Sequence, residues 1–183
     1  MAKKGKDKQD KIGIGILSGT KILVGDPQAR AFLKQKGFGE EDENAVRHEL
    51  SFIEGLFLLE NNKLKITDAK KYFKFADLIQ IGNKTEENFY AKFKVYSDLR
   101  NRGLLVRTGF KFGADFRIYE RGSVLGTSHS TKLVQVVPEE YTCSFPELAR
   151  AARLSEGVNK TLIFAIVDEE GDITYYQVGR TKM

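Results

Sequence analysis

At 183 residues the chain can bury one sizeable core or two small ones, and its formal charge of +5 suits a polyanionic partner, since each lysine or arginine that meets a phosphate releases condensed counterions. No apolar run is long enough to span a bilayer and none follows the basic start as a secretory signal would, so the expectation is a soluble, cytoplasmic protein without a membrane segment. One cysteine, Cys143, and two histidines, His48 and His129, exclude an internal disulfide framework and a Cys/His zinc cluster, leaving only carboxylate-bound magnesium open.

The first eleven residues set Lys3, Lys4, Lys6, Lys8 and Lys11 against Asp7 and Asp10, the pattern of a disordered basic tail over residues 1–11. Residues 12–24 alternate around Ser18-Gly19-Thr20 and predict a hairpin. Pro27 opens a short helix that Gly37 and Gly39 end, because proline suits the first helical turn and glycine the exit. The acidic group at 40–43 then loops into water. Leu50, Ile53, Leu56, Phe57 and Leu59 give residues 45–60 one helical face, with His48 beside it as a structural histidine. A short strand at 64–66, a helix over 68–79 and a polar break at Gly82-Asn83-Lys84-Thr85 follow, and the break marks the domain boundary.

The second half is more regular. Phe89, Phe93, Tyr96 and Leu99 share a helical face that Gly103 closes. Residues 104–108 form a strand. Gly109 and Gly113 flank Phe-Lys-Phe in a turn, and residues 115–119 return as the next strand. A small-residue loop at 121–128 delivers His129 to a strand over 133–137. Ser144 with Glu147 makes a capping box for a helix to about residue 154. Residues 161–167 are continuously apolar, as an interior strand requires, and residues 173–178 form an edge strand open to another subunit. The fold expected is mixed α+β, with a small N-terminal α/β domain over 12–84 and a C-terminal domain over 85–183 whose central mixed sheet is flanked by helices.

Tyr119, His129 and Lys160 each stand at the end of a predicted strand. RNA cleavage by its own 2′-hydroxyl needs a base for that hydroxyl, an acid for the departing 5′-oxygen, and positive charge beside the phosphorane. Histidine titrates nearest neutrality, so His129 is the natural acid, and Lys160 is the natural electrostatic stabiliser. Tyrosine, ordinarily ionising near pH 10, serves as base only where cations such as Arg117, Arg121 or Lys160 favour phenolate, and otherwise positions the hydroxyl. Each residue has a plainer reading: a packed rim tyrosine, a solvated loop histidine, a strand-end lysine. The residues alone leave both readings open. Asp115 and Glu120 suggest a metal-dependent nuclease, but no Glu-X-Lys pair follows on a strand, and Gly13 and Gly15 lack the third glycine of a dinucleotide loop.

Tyr96-Ser-Asp-Leu-Arg-Asn-Arg-Gly103, Lys111-Phe-Gly-Ala-Asp-Phe-Arg-Ile-Tyr-Glu-Arg-Gly122, His129-Ser130, Val158-Asn-Lys160 and Ala165-Ile-Val-Asp-Glu-Glu-Gly-Asp-Ile-Thr-Tyr-Tyr176 closely resemble the archaeal tRNA-splicing endonucleases. The likeness is strong over residues 93–178. Over the N-terminal half, which resembles the family's accessory domain, it rests on the length and order of elements. Matched motif to motif, the family's catalytic tyrosine, histidine and lysine fall on Tyr119, His129 and Lys160, which implies a catalytic subunit rather than a silent scaffolding one. The resemblance further implies a precursor tRNA substrate with a bulge-helix-bulge motif, cleavage to a 2′,3′-cyclic phosphate and a 5′-hydroxyl, and no metal or other cofactor. It also implies a base clamp containing Arg153 and, as a second arginine, Arg180. Two cleavage sites at fixed separation imply an assembly, either a homotetramer or a heterotetramer with a structural relative, paired through residues 173–178 and docked through the acidic segment 168–172.

Overall fold

The computed structural model describes residues 13–42, 47–120, 122–123 and 128–181. The expected basic tail, Glu43, Arg121 and most of the loop before His129 lie outside the described residues. The chain divides into two compact units, Met1–Gln80 and Ile81–Met183.

In the first unit β1 (Gly13–Ser18) and β2 (Lys21–Val24) form the expected hairpin, with Ser18 opposite Lys21. Gly19, at φ +59, supplies the left-handed backbone of its two-residue loop. Helix α1 (Pro27–Gln35) starts where the Asp26 side chain accepts the Ala29 N–H at 2.8 Å, capping one of the donors the first turn leaves free. The acidic segment does more than face water. Glu40–Glu41 is a short strand, β3, and Glu41 accepts from Arg30 at 2.5 Å and Lys34 at 3.0 Å.

The single helix expected over 45–60 is corrected to a strand, β4 (His48–Ser51), followed by helix α2 (Phe52–Glu60). Ser51 decides the change: its Oγ accepts the Glu54 N–H while the Glu54 carboxylate accepts the Ser51 N–H at 2.9 Å, a capping box that cannot form inside a helix. Ahead of it His48 and Leu50 turn inward with period two. His48 is buried on β4, not on a helix, and its Nε2–H donates to the Phe38 carbonyl at 2.6 Å. Strand β5 (Leu64–Thr67) runs parallel to β1, giving the sheet order β3-β4-β2-β1-β5.

The helix expected over 68–79 is shifted to α3 (Phe75–Thr85). The Asp68 carboxylate accepts the N–H groups of Lys70 and Lys71, both at 2.9 Å, and Ala69 sits at φ +71, so this stretch is a turn. At the far end the helix runs through the expected polar break. Gly82 is there for space: a Cβ on it would lie 2.2 Å from a carbon of the Phe89 ring.

The second unit follows the sequence closely. Helix α4 (Phe89–Asn101) ends at Gly103, φ +78, whose N–H donates to the Arg100 carbonyl. Next come β6 (Leu105–Thr108), a 3₁₀ turn (Phe110–Phe112), β7 (Phe116–Tyr119), β8 (Lys132–Pro138), helix α5 (Phe145–Gly157), β9 (Thr161–Val167) and β10 (Ile173–Val178). Their order is β10-β9-β8-β7-β6, with β8 and β9 parallel and the other pairs antiparallel. The molecule is therefore α+β, with two mixed five-stranded sheets. Helix α4 covers one face of the second sheet, its Tyr96 ring 5.7 Å from that of Phe116. Polar links fix its angle: Lys92 meets Asp115 at 2.9 Å, and Asp98 takes the Tyr175 hydroxyl and the Arg102 guanidinium, both at 2.7 Å. No helix among the described residues is long and apolar enough to cross a membrane.

Candidate active site

Strand register brings the predicted residues to one end of the second sheet. Tyr119 is the last residue of β7, and Ile118 pairs with Lys132 at the start of β8. Lys132 in turn pairs with Thr161 at the start of β9, immediately after Lys160. Because β7 is antiparallel to β8, and β8 parallel to β9, the C-terminal end of β7 lies beside two N-terminal strand ends. His129 precedes β8 by three residues. At roughly 4.8 Å per strand, the backbones of Tyr119 and Lys160 stand about 10 Å apart across the sheet, within the combined reach of a tyrosine and a lysine side chain.

The backbone hydrogen bonds continue past the strands and hold this end together. The Thr131 N–H donates to the Ile118 carbonyl, and the Thr161 N–H to the Thr131 carbonyl, both at 2.9 Å. The Lys160 N–H donates to the Ser155 carbonyl at 2.9 Å, so the end of α5 sets where β9 begins. The Lys160 ammonium donates to the Ser130 carbonyl at 2.5 Å, the residue next to His129, and lies 5.0 Å above the centre of the Phe112 ring. Burial, and after it the Arg117 charge, hold the Lys160 ammonium below the ordinary lysine range.

Tyr119 is buried, only 6% exposed, so its ring is packed, as both readings of this tyrosine require. The Arg117 guanidinium carbon lies 5.7 Å from its ring centre, within the range of a cation–π contact. His129, by contrast, is exposed. The site thus combines a packed phenol, an accessible imidazole and an ammonium held at the start of a strand. Neither Phe112 nor the Ser130 carbonyl is legible as part of it from the sequence. The only trace of Phe112 is its position in the Gly109-to-Gly113 turn.

The two clamp candidates are both exposed and both belong to the neighbourhood of α5. Arg153 lies on that helix, and Arg180 meets Glu156, one turn further on, through its N–H at 2.9 Å and its Nε at 3.7 Å. The carboxylates that suggested a metal-dependent nuclease are engaged elsewhere. Asp115 accepts from Lys92 at 2.9 Å and from the Val136 N–H at 2.7 Å, and Glu120 accepts the Thr131 hydroxyl at 2.9 Å. Among the described residues no three His, Cys, Asp or Glu side chains gather as metal ligands would.

Comparison with known proteins agrees with both units. Residues 13–79 match the tRNA intron endonuclease N-terminal domain, and residues 89–175 match the tRNA intron endonuclease catalytic C-terminal domain. A tRNA-splicing endonuclease of Methanococcus maripaludis is 39% identical over 91% of this chain and 93% of its own length. One from Pyrococcus furiosus is 40% identical over 80% of this chain and 83% of its own length. Another, from Methanothermobacter thermautotrophicus, is 44% identical over 72% of this chain and 76% of its own length. With both domains matched in order and relatives aligned over most of their length, the chain belongs to the tRNA intron endonuclease family, the tRNA-splicing endoribonucleases.

Proposed function

We propose that this chain cuts precursor tRNA at the bulges of a bulge-helix-bulge motif, by attack of the 2′-hydroxyl on the adjacent phosphate and without a metal. The observation that carries the reading is the placement of Tyr119, His129 and Lys160 at the same end of three neighbouring strands. The 2′-oxygen forms a new bond to phosphorus as its proton leaves, with Tyr119 orienting the hydroxyl and, in its phenolate form, taking that proton. The bond from phosphorus to the 5′-oxygen breaks, and His129 protonates the departing oxygen. Lys160 neutralises the charge that builds on the phosphorane. The products are a 2′,3′-cyclic phosphate and a 5′-hydroxyl. Accessibility suits His129 to the acid role, since it must reach a leaving oxygen that then departs.

Arg153 and Arg180 clamp a splayed bulge base, since RNA is read through unstacked bases and guanidinium planes stack on them. Two cuts at fixed separation need two sites at fixed separation. The active form is an assembly, either four copies of this chain or copies combined with a structural relative. The test uses a bulge-helix-bulge RNA with the purified chain. Cleavage persists in EDTA and stops when the nucleotide that supplies the attacking hydroxyl is 2′-deoxy, while binding survives. A chemical step that requires added magnesium, or continued cutting of the deoxy substrate, overturns the mechanism. Silence of the chain alone, relieved by a second protein, selects the mixed assembly.

A further inference from the structure

Arg117 and Tyr119 are two residues apart on β7 and so project from one face of the strand, opposite to Phe116 and Ile118. Three observations set Arg117 apart from a solubilising arginine. Its guanidinium stands over the Tyr119 ring at 5.7 Å. Its Nε is buried and has no hydrogen-bond partner among the described residues. Its directly paired neighbour on β6 is Arg107, itself buried, so two guanidinium-bearing residues face each other across the strands. Like charges directly opposite in a sheet destabilise it, and an unsatisfied buried donor is costly to keep. A fold that keeps such a residue beside a cleavage site uses it there.

We propose that Arg117 is a positioning residue of the cleavage site, holding the Tyr119 phenol in place through the contact of its guanidinium with the ring. The proposal rests on the functional reading above. With Nε buried, part of the guanidinium is turned into the protein, toward the residues it touches. The contact removes freedom from the ring that orients the 2′-hydroxyl, and misplacement of a reacting group by about 1 Å costs on the order of 10²-fold in rate. The charge disfavours a second cation nearby, which leaves the Lys160 ammonium readier to shift its proton density to a phosphorane oxygen.

Other groups frame Lys160. Phe112 lies under it from the 3₁₀ turn and the Ser130 carbonyl accepts from it ahead of β8. Glu156 on α5 is taken by Arg180, Glu120 after β7 by Thr131, and Lys132 alternates to the other face of β8. Arg107 lies one strand beyond Arg117.

The test compares wild type, Arg117→Met and Arg117→Lys on the bulge-helix-bulge RNA, with single-turnover rates, RNA affinity and melting temperature measured for each. Arg117→Met keeps RNA affinity within about 3-fold and slows cleavage by about 10- to 100-fold. Its rate falls off at higher pH than in wild type, because losing the Arg117 charge raises the pKa of Lys160. Arg117→Lys, which keeps charge and stem but not the guanidinium, leaves that basic limb near its wild-type position and recovers part of the rate. It also serves as the readout if Arg117→Met unfolds. Wild-type rates in both variants overturn the proposal, as does a loss confined to RNA affinity or to rate with an unmoved basic limb in Arg117→Met. A wild-type chain that does not cut the RNA at all removes the functional reading instead.

Discussion

His129 and Tyr119 have opposite surroundings, and the difference matches the role proposed for each. The imidazole is exposed, open to a leaving oxygen, while the phenol is packed, fit to orient a hydroxyl that does not travel. Lys160 combines both conditions. Its backbone is fixed by α5, its ammonium by the Ser130 carbonyl, and its charge is disfavoured by burial and then by Arg117. His129→Ala therefore slows single-turnover cleavage by about 10²- to 10⁴-fold, the span of a lost general acid, with little change in RNA affinity. A near-normal rate for that variant makes His129 an ordinary loop histidine. The three residue types are legible in the chain itself. Phe112 and Ser130 are not, because a ring under an ammonium and a carbonyl accepting from it depend on where strands far apart in sequence lie.

Local chemistry decides where the elements begin, and the departures from the expected elements have the same cause. Ser144 with Glu147 is plain in the sequence, and α5 starts there. Ser51 with Glu54 is the same device, yet the apolar spacing of Leu50, Ile53 and Leu56 masks it, since a strand followed by a helix shares several positions with one long helix. Gly82 shows the converse. As a sequence signal it reads as a break, whereas in the fold it lets Phe89 lie against α3. Replacing an interior helical glycine by alanine ordinarily stabilises by about 1 kcal/mol. For Gly82→Ala the sign reverses, because the new methyl group would sit 2.2 Å from a ring carbon of Phe89. A thermal melt should show the variant below wild type; a higher melting temperature means that the ring yields without cost.

At the scale of the whole molecule, β10 matters most. Among the described residues it pairs only with β9, leaving its other edge unpaired, and Tyr176 on it is 55% exposed. An open edge of six residues is a template for another strand unless charge or proline blocks it. The open edge suits the assembly proposed for two-site cutting, and light scattering should give a mass that is a multiple of the 20.7 kDa chain. Tyr176→Lys, a charge on that edge, should lower the mass at an unchanged melting temperature. A wild-type chain that scatters as a monomer while cutting both junctions rules out the assembly.

The sequence by itself determined the mixed fold class, the secondary structure of the catalytic half, and the residue types able to cleave RNA, because capping, glycine exits and apolar period are local and written in neighbouring residues. It also carried the family, through motifs spread over residues 93–178. Only the tertiary structure decided that β7, β8 and β9 lie side by side, that Tyr119 is packed and His129 open, and that Arg117 stands over the phenol. Those are matters of register between strands separated by a loop or a helix. A one-residue shift of pairing would carry every side chain of a strand to the opposite face, and no local pattern in the chain records which pairing wins.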